Sequence, residues 1–329
     1  MRIASRIRQA SIIALASAAV TIPGASISQT FPVKPVRYVV PFPAGASPDL
    51  VARTITERLS RMWGQQVLVD NRSGAGGTVG AAFAAKAPPD GHTLFQCNIA
   101  SSAIAESLYA KLGYDQQRDF APLSRIGTTP NALVVHPSMP AKSIKEYIAY
   151  AKANPGKLSY GSSGAGTSPQ LAMEWLKLLA KIDIVHVAYK GAPQAISDVI
   201  GGQIPSGMTN VPLVLPSIQS GRLRGLAVTG SKRVAQLPSV PMMLETGFPG
   251  YVVTSWYGVC APAGTPVPVL DKLHADVTAV LRMPEVQQRL GDMMVDVAPT
   301  SREEFAQFIR SETARWSQVI KEAGIAQQQ

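Results

Sequence analysis

A short phrase occurs twice in the chain, as Ala-Gly-Ala-Ser-Pro at residues 44–48 and as Ala-Gly-Thr-Ser-Pro at residues 165–169. Each copy follows a short apolar run that predicts a strand. Each precedes apolar residues at helical spacing, which predict an amphipathic helix. A tight loop of small residues between a strand and a helix is a building block of α/β domains. The repeat therefore predicts two α/β units in one chain.

Predicted strands and helices alternate along the rest of the chain, in the order expected of α/β lobes. Strands are expected at residues 36–41, 67–69, 92–98, 132–135, 158–161, 185–189, 203–209, 223–228 and 257–261. Ser47 is expected as the N-cap of a helix whose first helical residue is Pro48. Further helices are expected to begin at residues 143 and 167 and to span residues 78–87, 192–200, 269–282, 284–293 and 301–323. We expect the last helix to pack on the body of the protein through its apolar face.

The first residues have the layout of a secretory signal. Arg2, Arg6 and Arg8 precede an apolar run at residues 12–22, and small residues follow up to Ser28. The run is shorter than the roughly 20 residues that a membrane-spanning helix needs. We expect cleavage after Ser28, or one to three residues away, and a soluble, exported mature protein. Cleavage would lower the formal net charge from +10 to +7, because those three arginines are the only charged residues removed.

About 300 mature residues exceed what one hydrophobic core normally supports, so two lobes are expected. We place the first part of lobe 1 at residues 29–130, lobe 2 at residues 131–255, and the return to lobe 1 at residues 256–329. The basic residues are scattered, with no basic run and no interleaved aromatic residues for stacking on bases. This pattern argues against nucleic acid as a partner and favours small anions.

Cysteine and histidine are too few and too scattered for a metal site. The chain contains four histidines and two cysteines, Cys97 and Cys260, which are 163 residues apart and lie in predicted strands. Export permits a disulfide between them. Buried free cysteines are common as small hydrophobic residues, however, and we expect two free thiols.

The repeated phrase has a direct physical consequence for function. A small-residue loop that leads into a Ser-Pro helix start exposes backbone N–H groups at the positive end of the helix dipole. Such an end binds carboxylate or phosphate without a charged side chain. If the two lobes face each other, we expect the two helix starts to clamp one anion, with the N–H groups of Gly45 and Gly166 among its donors.

Six motifs, spread over essentially the whole mature chain, resemble those of the periplasmic receptors of tripartite tricarboxylate transporters, the Bug family. They are PFPAGASPDLVAR (41–53), VDNRSGAGGTVGA (69–81), PPDGHTLF (88–95), SYGSSGAGTSPQLAMEW (159–175), VAYKGAPQAISDVIGGQIP (187–205) and SGRLRGLAVTGSKR (220–233).

The resemblance implies an α/β, two-lobed, type II-like periplasmic-binding-protein fold with hinge strands that cross between the lobes. It also implies a receptor without cofactor, metal or catalysis, which binds a small carboxylate and passes it to the membrane subunits of a transporter. We expect a monomer. Matched by motif, the ligand-binding residues are Phe42, Pro43, Ala44, Gly45, Ala46, Ser47, Asp49, Ser162, Ser163, Gly164, Ala165, Gly166, Thr167 and Ser168, and Asn210 is a neutral polar candidate on the cleft wall.

The chain departs from the family pattern in two places. Ala46 stands where a second glycine is usual, and Pro205 and Ser206 stand where an acidic residue is common. Loss of that acid weakens any preference for an amino-acid ligand, which leaves a di- or tricarboxylate or an aromatic acid. For Asp49, a role at the helix start competes with ligand contact, and Trp256 and Tyr257 could line the cleft or pack at the hinge.

Two other classes of site fit the residues less well. Gly161-Ser162-Ser163-Gly164-Ala165 resembles the nucleophile elbow of a serine hydrolase built on Ser163, but Ala165 replaces the final glycine. The glycine-rich segment at residues 74–80 resembles a dinucleotide loop, but Val79 stands where the third glycine belongs, and no carboxylate ends the next strand. A serine hydrolase remains the alternative function.

Overall fold

A computed structural model describes residues 31–322 and 324–325. The predicted signal peptide and its cleavage site after Ser28 lie outside these residues. No helix in the described part of the chain combines the length and the apolar character needed to cross a membrane.

The strands of the described residues form one mixed sheet in the order β2-β1-β3-β9-β4-β7-β5-β6, with β8 and β10 also paired to β4. Their bounds are β1 Val36–Val40, β2 Val67–Asn71, β3 Thr93–Asn98, β4 Phe120–Val135, β5 Ser159–Ser162, β6 Val185–Ala188, β7 Ser206–Asn210, β8 Arg224–Val228, β9 Thr254–Pro262 and β10 Asp296–Val297.

The helices alternate with the strands, as the sequence predicts. Their bounds are α1 Ser47–Trp63, α2 Thr78–Ala85, α3 Ala105–Leu108, α4 Gln116–Asp119, α5 Ile144–Ala153, α6 Ser168–Ala180, α7 Ala192–Ile200, α8 Val211–Gln219, α9 Val267–Leu281, α10 Pro284–Asp292 and α11 Arg302–Glu322. Three-residue and four-residue 3₁₀ segments lie at Ala75–Gly77 and Met243–Thr246, and a π-helical turn at Ala100–Ile104 precedes α3.

The 16-residue strand β4 connects two halves of the sheet. Its residues 120–130 pair with β9, which also pairs with β3, and its residues 131–135 pair with β7 and β8. We call β1, β2, β3, β9 and β10 the first half, and β5 to β8 the second half. The sequence predicts only residues 132–135 of β4, because the earlier part contains Pro122, Gly127 and Pro130, which weaken a strand signal. The register with β9 shifts at Pro122/Ser124 and at Arg125/Gly127.

Helix α1 illustrates how the alternation is stabilised. Val51, Ile55 and Leu59 are fully buried against β1, as their helical spacing predicts, and Gly64 ends the helix in the left-handed conformation. The helical spacing also predicts Met62 on this apolar face, but Met62 is 40% exposed because it lies in the last turn of the helix.

Helix α8 is absent from the sequence-based prediction. It begins directly after Asn210 and contains Pro212 and Pro216. Proline normally ends a helix, but Pro212 lies in the first turn, where its missing N–H has no helical acceptor in any case, whereas Pro216 lies inside the helix. The predicted strand at residues 203–209 begins three residues later in the structure, at Ser206.

Helix α11 packs on the body of the protein, as its apolar spacing predicts. Phe305, Ile309, Trp316 and Ile320 are buried in the central hydrophobic cluster. The ring of Phe305 contacts that of Trp256 on β9 edge to face, with centroids 5.9 Å apart. The C-terminal helix is therefore part of the core.

The expectation of two free thiols is wrong. Cys97 on β3 and Cys260 on β9 form a disulfide, with their Cα atoms 6.0 Å apart. The two strands are antiparallel neighbours, with Phe95 opposite Cys260 and Cys97 opposite Gly258, so the cysteines are diagonal partners on one face. The sequence contains no signal for this pairing of distant strands.

Candidate functional site

Four helices of the described chain begin at one cleft between the two halves of the sheet. They are α1, α6, α7 and α8, and each has proline at its second position. The cleft is lined by Phe42, Pro43, Ala46, Ser47, Pro48, Asn98, Ile99, Ala100, Ser163, Thr167, Ser168, Pro169, Gly191, Ala192, Asn210, Ser255, Trp256 and Tyr257. This lining contains no Asp, Glu, Lys, Arg or His. The positive ends of the helix dipoles are therefore the main fixed charges that face the cleft.

The helix starts are shifted by one residue from the prediction. Ser47 was expected as the N-cap of α1, with Pro48 as its first helical residue. In the structure Ala46 is the N-cap and Ser47 is the first helical residue; Thr167 and Ser168 are related in the same way in α6. The N–H group of a first helical residue has no carbonyl partner within its helix. The N–H groups of Ser47 and Ser168 are thus placed to meet an anion.

The N–H group of Gly45 is not available to a ligand. It donates to Oδ2 of Asp49 at 2.9 Å, and that carboxylate also accepts from Nε of Arg53 at 2.9 Å and from Nδ2 of Asn71 at 3.0 Å. Burial alone would raise the pKa of Asp49, but these donors hold it below its ordinary value. Nδ2 of Asn71 also donates to the carbonyl of Phe42. Asp49 and Asn71, neither of which lines the cleft, therefore hold the loop at residues 42–46 in place.

The second loop is built in the same way. The N–H group of Gly166 donates to Oε1 of Gln170 at 2.6 Å, four residues later, as Gly45 does to Asp49. Oγ1 of Thr167 donates to the carbonyl of Gly164 at 2.8 Å, and the N–H group of Gly164 donates to Oγ of Ser162 at 3.2 Å. In this structure the amides of Gly45 and Gly166 thus both donate to a side chain of the helix that follows.

A hydrogen-bonded network joins the cleft wall to the start of α6. Oγ of Ser168 and Oγ of Ser255 are 2.5 Å apart. Nδ2 of Asn210 donates to Oγ of Ser255 at 2.7 Å and to Oδ1 of Asn131 at 2.9 Å. Nδ2 of Asn131 in turn donates to the carbonyl of Val253 at 3.1 Å. Residues from β4, β7, β9 and α6 thus hold the polar wall in one arrangement.

The structure brings eight of the fifteen expected binding residues to the cleft lining, namely Phe42, Pro43, Ala46, Ser47, Ser163, Thr167, Ser168 and Asn210. The others lie behind the lining or at its rim: Ala44, Gly45, Asp49, Ser162, Gly164, Ala165 and Gly166. Asp49 takes the loop-supporting role. Trp256 and Tyr257 line the cleft, one of the two roles considered for them, and their side chains are also buried.

Several lining residues are missed by the sequence-based prediction, among them Asn98, Gly191, Ala192 and Ser255. A usable signal existed for the start of α7, because Gly191-Ala192-Pro193 is a third small-residue helix start with proline at the second position. Asn98 and Ser255 are strand residues whose position at the cleft depends on the pairing of β3 with β9, which the sequence does not reveal.

The residues around Ser163 do not form a hydrolase site. The only histidine hydrogen-bonded in this region of the described chain is His186, whose Nε2 lies 2.7 Å from Oγ of Ser162. Ser162 is fully buried, so its hydroxyl group is closed to a substrate. Burial lowers the pKa of His186 to about 4. The imidazole stacks on Tyr160 and belongs to the support of the loop.

Ser206, at the position where an acid was expected from the family pattern, is buried away from the cleft. Its Oγ donates to the carbonyl of Ser159 at 2.7 Å and lies 2.9 Å from Oη of Tyr147. Three or more His, Cys, Asp or Glu side chains are nowhere grouped to hold a metal ion among the described residues.

Comparison with known proteins links this arrangement to one family. Residues 51–325 match the family described as "Tripartite tricarboxylate transporter family receptor". BugT of Bordetella pertussis is 34% identical over 298 residues, which cover 90% of this chain and 91% of that protein.

Solved structures agree with the sequence comparison. The R. palustris protein Rpa4515, solved with adipate, is 36% identical with a TM-score of 0.87, and the match covers 91% of this chain and 100% of that one. MatC from Rhodopseudomonas palustris, solved with bound malate, is 31% identical with a TM-score of 0.81, covering 88% of this chain and 100% of that one. The expected α/β periplasmic-binding-protein fold is confirmed.

Proposed function

We propose that this chain, which belongs to the family of tripartite tricarboxylate transporter receptors, binds a small organic carboxylate in the cleft where α1, α6, α7 and α8 begin. It is a receptor and not an enzyme, since its family and its structural neighbours are solute-binding proteins. The proposal rests on one observation above all, the convergence of helix N-termini on a cleft whose lining carries no charged side chain.

The chemistry of the cleft favours a carboxylate over a neutral or cationic ligand. Helix N-termini together supply partial positive charge and bare N–H groups, and both stabilise an anion. The N–H groups of Ser47 and Ser168 belong to helices from opposite halves of the sheet. The hydroxyl group of Ser163 and one of the two paired hydroxyl groups of Ser168 and Ser255 add neutral donors. One carboxylate group held between the starts of α1 and α6 is the arrangement that these donors support.

The cleft lining beyond the starts of α1 and α6 determines which groups the ligand can carry besides its first carboxylate. Relatives of known structure contain adipate and malate. The wall that would face a second oxygen-bearing group is neutral and polar there, since it includes Asn98 and Asn210, whose side-chain N–H groups donate within the protein. Phe42, Trp256 and Tyr257 offer apolar contact to a carbon chain or an aromatic ring. The described lining has no carboxylate to balance an ammonium group, whose burial without a partner is costly. We therefore propose a di- or tricarboxylate or an aromatic acid that lacks an amine.

The two halves of the sheet act as lobes that close on the ligand. We propose the boundaries expected from the sequence, at residues 130–131 and 255–256. The first falls in β4, which connects the halves, and the second falls at the start of β9, where Pro130 lies opposite Thr254. Hinge closure around a ligand is an established mode of domain motion. The closed receptor would then deliver its carboxylate to the membrane subunits of a transporter.

A thermal-shift screen tests the binding proposal. Adipate, malate, glutarate and benzoate should be compared with adipamide, the uncharged analogue of adipate. A ligand that binds only the folded state raises the apparent melting temperature. We expect at least one carboxylate to raise it while adipamide does not. If no carboxylate shifts the transition, the assigned function is wrong for these ligands.

Export, the periplasmic location and the monomeric state are tested on the secreted protein. Intact-mass measurement should give a chain that begins near Gln29, and light scattering should give the mass of one chain. A mature protein that retains Arg2, Arg6 and Arg8 would contradict cleavage after Ser28.

A further inference from the structure

The glycine-rich turn that precedes α2 has an unusual backbone. Gly74, Ala75, Gly76 and Gly77 have φ angles of 140°, 43°, 62° and 98°, so four consecutive residues have positive φ. The left-handed conformation costs a residue such as Ala75 about 1 kcal/mol or more, and surrounding contacts must offset that cost. None of the four residues lines the cleft.

One side of the turn packs against the start of the first loop. A Cβ atom on Gly77 would lie 3.2 Å from Cβ of Pro41, and a Cβ atom on Gly80, in the following helix, would lie 2.9 Å from the same atom. Pro41 directly precedes the loop at residues 42–46. The turn thus packs against Pro41, the residue before the loop that leads into α1.

The other side of the turn meets the second loop. A Cβ atom on Gly76 would lie 2.7 Å from the carbonyl oxygen of Ala165 and 3.2 Å from Oη of Tyr109. Real Cβ atoms essentially never approach a neighbour within 3.0 Å, and a backbone oxygen cannot turn away as a flexible side chain can. Only glycine at position 76 permits this approach of the second loop.

Residues after β3 complete the contact. A Cβ atom on Gly166 would lie 2.8 Å from Cδ2 of Leu108 and 3.7 Å from Cε2 of Tyr109. Leu108 and Tyr109 belong to the connection between β3 and β4, and neither lines the cleft. Gly76, Leu108 and Tyr109 therefore form one surface, contributed by the first half, that receives Ala165 and Gly166 from the second half. We call this surface the seat.

We propose that the seat is a positioning element of the receptor, which holds the loop at residues 162–167 over the carboxylate when the lobes close. The inference rests on the proposed function, because it assumes that closure creates the binding site. The seat would act without touching the ligand. A bulkier seat would lower the population of the closed state, and the apparent affinity falls in proportion to that population.

The test compares two glycines with the same backbone conformation. Gly76→Ala adds a Cβ atom at φ 62° against the carbonyl of Ala165, whereas Gly64→Ala adds one at φ 61° at the end of α1, with no atom within 4 Å. Both variants carry similar left-handed strain, so a difference between them reports the contact with Ala165. We expect calorimetric titration with adipate, malate or glutarate, whichever binds the parent most tightly, to show at least a tenfold higher Kd for Gly76→Ala and a change within about twofold for Gly64→Ala.

A second variant keeps the proposal testable if Gly76→Ala fails to fold. Tyr109→Ala removes the side chain that lies beside both Gly76 and Gly166 without left-handed strain, and we expect it to weaken binding as well. Small-angle scattering supplies a readout that a purely structural role would not change. The parent and Gly64→Ala should contract with saturating ligand, whereas Gly76→Ala should contract less at the same concentration.

The outcomes separate the two proposals. If the parent binds and contracts, and Gly76→Ala and Tyr109→Ala do so equally well, the seat has no positioning role while the receptor function remains. If the parent binds none of the three acids, the receptor function fails for this ligand class and the seat proposal fails with it.

Discussion

The backbone N–H group of Gly45 donates to Oδ2 of Asp49, at 2.9 Å, across the first turn of α1. The same relation, between an N–H group and a side chain four residues later, joins Gly166 to Gln170 in the other half of the chain. The two repeated phrases therefore share an internal brace as well as a helix start. The N–H groups that we propose for the anion are those of the first helical residues, Ser47 and Ser168, two positions after the braced glycines.

Asp49 should support binding without contacting the ligand. Asp49→Ala removes the acceptor for Gly45, Arg53 and Asn71, and a hydrogen bond to a charged group contributes about 1.5–3 kcal/mol. We expect a free energy of unfolding lowered by about 2 kcal/mol or more and a carboxylate affinity lowered by about tenfold. Urea unfolding and calorimetry measure the two effects. Parent-like affinity in the variant would show that the brace does not shape the site.

The contribution of Asp49 should depend on pH with a definite sign. Its pKa is lowered in the folded state, so its stabilisation is fully present above the unfolded-state pKa of about 3.9 and is lost as the pH falls through the folded-state value. The difference in unfolding free energy between the parent and Asp49→Asn should therefore be constant near pH 7 and shrink below about pH 4. A difference that grows on acidification would contradict the sign of the shift.

The Ser168–Ser255 contact tests the polar wall of the cleft. Ser255→Ala removes the partner of both Ser168 and Asn210, and we expect about a fivefold to tenfold loss of affinity for the best carboxylate, since a neutral hydrogen bond contributes about 1 kcal/mol. Ser311→Ala, which removes a hydroxyl group bonded to Phe308 on the exposed side of α11, is the control and should bind like the parent. Equal affinities in all three proteins would place the ligand away from this wall.

The disulfide should stabilise the fold without entering the site. A bond between Cys97 and Cys260 joins residues 163 positions apart, and such cross-links typically contribute about 2–4 kcal/mol by restricting the unfolded chain. We expect a reducing agent, or the pair Cys97→Ala and Cys260→Ala, to lower the melting temperature while ligand affinity changes little. A melting curve unaffected by reductant, together with two titratable thiols in the native protein, would show that the bond does not form.

The sequence predicts the alternation of strands and helices well, because each α/β unit carries its own local signals, such as the Ser-Pro helix starts and the stop at Gly64. Contacts between distant segments are harder to predict from the sequence. The pairing of β3 with β9 creates the disulfide and brings Ser255 beside Ser168, yet no local pattern specifies which strands become neighbours. The hydrogen bonds that Gly45 and Gly166 donate to Asp49 and Gln170 also depend on side-chain geometry, which no local sequence pattern specifies.

We propose that helix N-termini in an uncharged cleft bind a carboxylate that lacks an amine. Calorimetric titration with glutarate and glutamate tests it most directly, because the two acids differ only in the ammonium group. Since the described lining contains no acidic residue, we predict saturable binding of glutarate with a Kd at least tenfold lower than that of glutamate, a difference of about 1.4 kcal/mol. Tighter binding of glutamate, or no binding of glutarate by a correctly folded protein, would contradict the account.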